Sequence, residues 1–340
     1  MVTSQNVRYG IGTLMPSTPR KQRIYDLINE YIDAGKKFTT QDMINIQLDA
    51  VDVNARLIMR SLEKILTEEN MEYLYKQFES EEDKQILKKF IDHLRGWDAN
   101  YHVNSSQACL FATWEKEYHV SLLADQLPSV TLRETLTNQQ DSDIFLIDVL
   151  QHLETDISYL SKYCATTTKI FGQEYNATEN KCLVSLAFNA VRAWKILEKG
   201  ISKDPKQWRW GAMHKNVYEH IPFSMIPGFK QIFHREVEAS GSRRTISFGL
   251  YNFHHNDLEK RAQLNCEFSA NFRFAIDMAS YDEPEKYDTF MSIDTGISGN
   301  IFSKHYFDMN ELHHSTSVKM EFDREKIEKS AKYKLELIQK

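Results

Sequence analysis

The sequence predicts an α+β protein with a helical first half and a strand-rich second half. Two observations carry this. From residue 19 to about 205, apolar residues recur at i, i+3, i+4 and i+7 in successive segments bounded by capping or breaking residues. After about residue 205 that period gives way to alternation with β-branched and aromatic content. Helices followed by strands, without the regular βα alternation of a parallel sheet, is the α+β pattern.

In order, Met1-Val2-Thr3 reads as a short extended piece, followed by a turn-rich loop in which Gly10, Gly12, Pro16 and Pro19 break anything longer. Arg20 to Tyr31 reads as a helix, with Ile24, Leu27, Ile28 and Tyr31 on one face and Gly35 ending it. Thr39 or Thr40 caps the next helix, with Asp42 in its first turn. That helix is expected to run through Met43, Ile46, Leu48, Val51 and Leu57 to about Leu66. Further helices are expected near 67–78, 81–95, 104–122, 143–163 and 180–199, with polar connectors at 124–142 and 164–179. Val217 to Phe233 is mixed and aromatic-rich. Arg244–Phe253, Asn265–Met278, Thr289–Ile293 and Val318–Phe322 read as strands, and the charged residues 324–340 as a terminal helix or strand. No internal repeat or low-complexity tract interrupts this order. The expected organisation is therefore 1–18 as strand and loop, 19–205 as a mainly helical part, and 206–340 as a strand-rich part.

A chain of 340 residues with 19 Phe, 16 Tyr and 5 Trp can bury a large core. Its formal charge of −6, with Lys and Arg scattered, offers no attraction to nucleic acid or an anionic membrane, and no apolar run approaches a membrane span. A basic n-region followed by an apolar h-region is not visible at the start. Cys109, Cys164, Cys182 and Cys266 show no metal-ligand spacing; Cys164 and Cys182 could pair, but free, partly buried thiols are the expectation. Glycosylation-type triplets occur at Asn104 and Asn176.

The stretch richest in chemistry is Gly296-Ile297-Ser298-Gly299-Asn300-Ile301-Phe302-Ser303-Lys304-His305-Tyr306. Glycines, small hydroxyls and an aromatic–basic pair in so short a loop suit either a close backbone approach or a surface turn closed by a satisfied histidine. With Asp308 following, it resembles the "G-Q-S-G-N-P-x-S-x-H-Y-x-D" signature of the penicillin acylase family, with Ile297 in place of the usual Gln. Other landmarks agree in order: Arg20-Lys21-Gln22-Arg23-Ile24 with "R-x-x-R-I"; Phe38 to Met43 and Gln47-x-Asp49 with "y-T-x-E-D-m … Q-x-D"; Leu94, Trp97, Asp98, Ser106, Phe111 and Trp114 with "L-x-x-W-D-G … S-x-A-x-x-F-x-x-W". Trp208, Trp210, Gly211, His214, Tyr218 and His220 resemble "W-x-W-G-x-x-H-x-x-x-F-x-H". Gly241 with Thr245 is similar to "G-G-x-x-T", and Ser269, Arg273 and Asp277 to "S-x-R-x-x-x-D".

The resemblance implies an N-terminal-nucleophile amidohydrolase of αββα fold, seen here as the C-terminal part of its β-chain and therefore incomplete. In that family a β-chain N-terminal serine, with its own α-amino group as base, attacks an amide carbonyl, and an Asn side chain with a backbone N–H stabilises the oxyanion. Met1 to Asn6 does not resemble the family's "S-N-x-W" start but its later "V-T-A-N-N" segment, which implies the oxyanion role for Gln5 or, with a one-residue slip, Asn6. Arg20 corresponds to an arginine that helps order the active site; opposing its helix dipole, it is expected to have an anionic partner. The implied partners are an N-acylated small-molecule substrate and a complementary upstream segment or chain of the same precursor, with no nucleic acid and no membrane. No cofactor is identified; the family leaves room for a structural calcium whose ligands are not visible here, and for a secreted, periplasmic or vesicular location. The alternative is a truncated non-catalytic family member or a helical binding or scaffold protein. His214, His220 and His305 are read as structural, Trp97, Trp114, Trp208 and Trp210 as core, and His313-His314 as solvent-facing.

Overall fold

The computed structural model describes residues 19–123, 139–159, 164, 179–251, 262–278, 283 and 288–337. The expected strand at Met1–Thr3 and most of both polar connectors lie outside these residues. The chain divides into two compact units, one of Met1–Arg23 and Ala50–Ser269, the other of Ile24–Asp49 and Ala270–Lys340. Helices and small antiparallel sheets make it an α+β protein.

In the first unit the helices are α3 (Val53–Ile65), α4 (Glu68–Gln77), α5 (Glu81–Leu94), α6 (Ser106–Leu123), α7 (Gln139–Leu153), α8 (Lys181–Gly200) and the one-turn α9 (Trp210–Met213). They begin where the sequence offers caps: the Asp52 carboxylate accepts from the Asn54 and Ala55 N–H groups, Thr67 from Asn70, and Ser80 from Asp83. The centre of this unit is α6, which is buried on every side from Ala108 to Leu122. Helix α8 lies along it, joined by the Trp114 indole N–H to the Leu186 carbonyl (3.3 Å), the Tyr118 hydroxyl to the Cys182 carbonyl (3.1 Å) and Asn189 Nδ2 to Ser121 Oγ (2.8 Å). Trp97, Trp114, Trp208 and Trp210 are all buried in this core.

Two short antiparallel pairs complete the unit. Strands β1 (Lys215–Tyr218) and β2 (Arg235–Glu238) form a hairpin in register Lys215↔Glu238 to Tyr218↔Arg235, around the stretch Val217 to Phe233 that the sequence presents only as mixed. Its connection includes the one-turn helix α10 (Lys230–Phe233). Strands β3 (Gly249–Leu250) and β4 (Phe268–Ser269) pair beside it. The expectation of free thiols is corrected for one pair: Cys164 and Cys182 form a disulfide, whereas Cys109 and Cys266 are free and buried.

Helix α1 (Pro19–Asp33) begins in the first unit and continues into the second, where Gly35 at φ +63° ends it. Helix α2 (Thr40–Gln47) opens with a full capping box between Thr39 and Asp42. The single helix expected from 40 to about 66 is two. After α2 the chain is drawn into a bridge between Val51 and Asn100, and Asp52 caps α3 afresh. The second unit also holds the antiparallel sheet β5 (Phe272–Ile276), β6 (Thr289–Ile293), β7 (Val318–Lys319), with the short helix α11 (Asn310–Ser315) and a last helix α12 (Arg324–Ser330).

The alternation of β5 sorts its side chains. Arg273 and Ala275 are buried, while Phe272 and Phe274 are 52 % and 45 % exposed on the other face. Gln47 Nε2 donates to the Phe274 carbonyl (2.9 Å), and Arg273 donates to the carbonyls of Gln47 (2.6 Å) and His313 (2.9 Å). His313 is not solvent-facing as expected: it is buried, its Nε2–H donates to the Ala270 carbonyl (2.7 Å), and its Nδ1 accepts from the Ser292 hydroxyl (3.1 Å). Desolvation, then the Arg273 charge, holds its pKa down at about 4.

Candidate active site

Of the three candidate site residues, Gln5 and Asn6 lie outside the described residues, and Arg20 lies in the first turn of α1. Among the described residues the partner of Arg20 is aromatic: its guanidinium carbon sits 4.5 Å from the centre of the Phe248 ring. A π-face attracts a cation through its quadrupole, so this contact steadies the exposed arginine without calling on its N–H donors.

What places Phe248 is a rigid loop from Gly241 to Ser247, largely buried. Gly241 adopts φ +96°, and a Cβ there would overlap the Ser247 carbonyl, so only glycine fits. The Gly241 N–H donates to the Tyr101 carbonyl (2.8 Å), and its own carbonyl accepts from the Trp210 indole (2.8 Å). The Thr245 hydroxyl accepts from the Ser242 N–H (2.7 Å) and lies 2.7 Å from the Ser247 carbonyl. A threonine four residues after a left-handed glycine therefore closes the turn through a single oxygen.

The two residues inside this turn, Arg243 and Arg244, point into the protein and meet three buried carboxylates. Arg244 donates through Nε to Asp52 (2.7 Å) and through Nη1 and Nη2 to the two Glu115 oxygens (2.6 and 3.0 Å), with Asp143 3.2 Å from Nη1. Arg243 is bonded to Asp143. His119 Nδ1 donates to the Glu115 carbonyl (2.9 Å), which turns Nε2 toward Asp143 at 3.8 Å. Among the described residues, three acids face two arginines in this cluster. Burial pushes the Asp52 carboxyl up, against the pull of Arg244, whereas Asp143 is held below its usual range because Arg243 and Arg244 outweigh its desolvation. Desolvation holds the His119 imidazolium back. These contacts tie the turn at 241–247 to the cap of α3 and the middle of α6.

Sequence reasoning noticed the Gly241–Thr245 pattern but missed this charge cluster. The signal was present: Glu115-Lys116-Glu117 interrupts an otherwise apolar α6 with no polar face, and Arg243-Arg244 follows directly on the tight glycine. Such charges must be paired inside.

The other singled-out residues are structural. His214 is buried and stacked on Trp210; its Nδ1–H donates to the Leu264 carbonyl (2.7 Å), and desolvation lowers its pKa to about 4. The Gly296–Tyr306 loop closes on itself through the Ser298 N–H to the His305 carbonyl (3.0 Å) and His305 Nδ1 to Asp308 Oδ2 (2.7 Å), and leaves Phe302 95 % exposed. Among the described residues no three His, Cys, Asp or Glu side chains are grouped to hold a metal ion.

The glycine–threonine turn at Gly241 and Thr245, the arginine at the head of α1 and the buried Trp208 and Trp210 are the residues whose sequence patterns resemble the penicillin acylase family. A family model described as penicillin amidase matches residues 1–329, and the chain belongs to that family. No curated protein is significantly similar to the chain.

Proposed function

We propose that this chain supplies the oxyanion-binding and scaffolding part of an amidohydrolase that cleaves linear N-acyl amides into a carboxylic acid and an amine. The observation that carries the reading is the family match over residues 1–329, taken with the likeness of Met1–Asn6 to the family's oxyanion segment. No serine in the sequence stands in a Ser-Asn-x-Trp pattern. In this reading the nucleophilic serine comes from an upstream segment or separate chain of the same precursor. Its hydroxyl attacks the acyl carbon while its own amine takes the proton, the amine product leaves, and water releases the acid. The Gln5 or Asn6 amide donates to the oxyanion, and Arg20, steadied over Phe248, orders the site around it. The substrate class is an N-acylated small molecule, whether a β-lactam side chain, an acyl-homoserine lactone or another N-acyl compound.

The test uses a chromogenic phenylacetyl anilide with residues 1–340 alone and together with the upstream segment. The chain alone is expected to show no turnover and the combined protein a burst followed by steady hydrolysis. Within the active protein, Gln5→Ala or Asn6→Ala, whichever holds the oxyanion, is expected to lower kcat by about 10²–10³ and the other far less. Absence of hydrolysis from every combination, over a panel of N-acyl amides, would favour the non-catalytic alternative.

A further inference from the structure

We propose that Asn104 is an N-glycosylation site and that the chain folds in an oxidising, secretory-type compartment. The triplet Asn104-Ser105-Ser106 has the acceptor amide and the hydroxyl two residues on that the modification needs. The structure places it in a surface turn immediately before α6, with the Asn104 side chain exposed. The turn is firmly held from behind: the Val103 N–H donates to Ser240 Oγ (3.1 Å), and the carbonyls of Val103 and Ser105 accept from the Gly211 (2.8 Å) and Trp210 (3.1 Å) N–H groups. Asn104 therefore projects outward from a fixed backbone, and a glycan there displaces nothing from the buried stretch that starts at Ala108. These anchors come from residues more than a hundred positions later, Ser240 by 137, so in a growing chain the triplet emerges before they can pin it and is accessible as an extended segment.

The second, independent observation is the Cys164–Cys182 disulfide. A structural disulfide persists in oxidising compartments, which in cells with a secretory pathway are also where N-glycans are added. In the transfer, Asn104 Nδ2 forms a bond to the anomeric carbon of a lipid-linked oligosaccharyl diphosphate. The anomeric C–O bond breaks, the lipid diphosphate leaves with the electron pair, and Nδ2 gives up one proton. Asn176 lies outside the described residues and carries none of this argument.

The experiment is peptide mapping, without reduction, of the protein purified from its own cells, before and after peptide N-glycosidase in heavy-oxygen water. The Asn104 peptide is expected to carry hexosamine-containing mass in most copies, and to become an oxygen-labelled aspartate on enzyme treatment. The same digest should show Cys164 linked to Cys182. Ser106→Ala should abolish the modification and Ser106→Thr, which keeps the hydroxyl, should retain it. An Asn104 peptide found unmodified overturns the proposal, whether or not the cysteines are joined.

Discussion

Arg244 and Glu115 face each other in the interior through two parallel hydrogen bonds of 2.6 and 3.0 Å, between the turn at 241–247 and the middle of α6. A bidentate pair of this kind is strong because both oxygens and both nitrogens are matched and neither reaches water. Its net contribution is small compared with the cost of breaking it, because removing either partner leaves a charge buried. Arg244→Ala or Glu115→Ala is therefore expected to destabilise the protein by about 3–5 kcal/mol. Arg244→Ala combined with Glu115→Ala should cost clearly less than the sum of the two single losses. Urea unfolding of the four proteins measures this; additive losses would mean that the pair is not coupled.

Gly241→Ala isolates the backbone of the same turn. At φ +96° any Cβ is strained, and here it would also overlap the Ser247 carbonyl. The loop must either open, losing the Thr245 bonds and exposing Arg243 and Arg244, or distort. An expected loss of at least about 2 kcal/mol follows from these combined mechanisms. Gly35→Ala serves as comparison: it shares a positive φ of +63° but meets nothing within 4 Å, so its loss should be the smaller. Thermal melting of both variants decides; equal shifts would show that the close approach at Gly241 is immaterial.

These two sites also show what a sequence can and cannot carry. The starts of α2 and α5 were legible because Thr39 and Ser80 each accept from the N–H group three residues on. The split between α2 and α3 was not, since Leu48 and Val51 continue the apolar period and what breaks the helix is a bridge to Asn100, almost fifty residues on. Of the strand expected over Arg244–Phe253 only Gly249–Leu250 forms; its start is a turn, because Arg244 is drawn inward to carboxylates at Asp52 and Glu115, 192 and 129 positions away. Local alternation cannot register partners at that distance. At the candidate site, Arg20 could be picked out from its motif, but its aromatic partner could not, since Phe248 is set by that same turn.

The disulfide makes a direct count possible. Cys164 and Cys182 are joined, and Cys109 and Cys266 are free but buried, with burial raising the Cys109 thiol and lifting Cys266 to about 11. A thiol reagent should find almost no reactive cysteine in the folded protein, two after denaturation and four after reduction as well. Replacing both bridged residues by serine is expected to cost about 3 kcal/mol, the effect of freeing a loop of this length in the unfolded chain. Four thiols on denaturation without reductant would mean that the bond is absent.

The last expected outcome concerns pH. His214 is wholly buried as the neutral imidazole, with a pKa lowered to about 4 by desolvation and opposed only in part by its bond to the Leu264 carbonyl. In the unfolded chain the same group titrates near its ordinary 6.5. Between these two values the unfolded chain binds the extra proton, so stability rises with pH. The contribution is complete above about pH 6.5 and is lost as pH falls to about 4, a change of about 3 kcal/mol from this one residue. His93 and His119 are shifted the same way by burial, so the whole protein should weaken steeply over this range. His214→Asn keeps a donor for the Leu264 carbonyl but does not titrate. It is expected to be less stable than the parent at pH 7 and to lose stability toward pH 4 more gently, by about 1.4 kcal/mol per pH unit. Urea unfolding at half-unit steps from pH 4 to 7 gives both slopes; parallel slopes would show that His214 takes up its proton in the folded protein as readily as in the unfolded one.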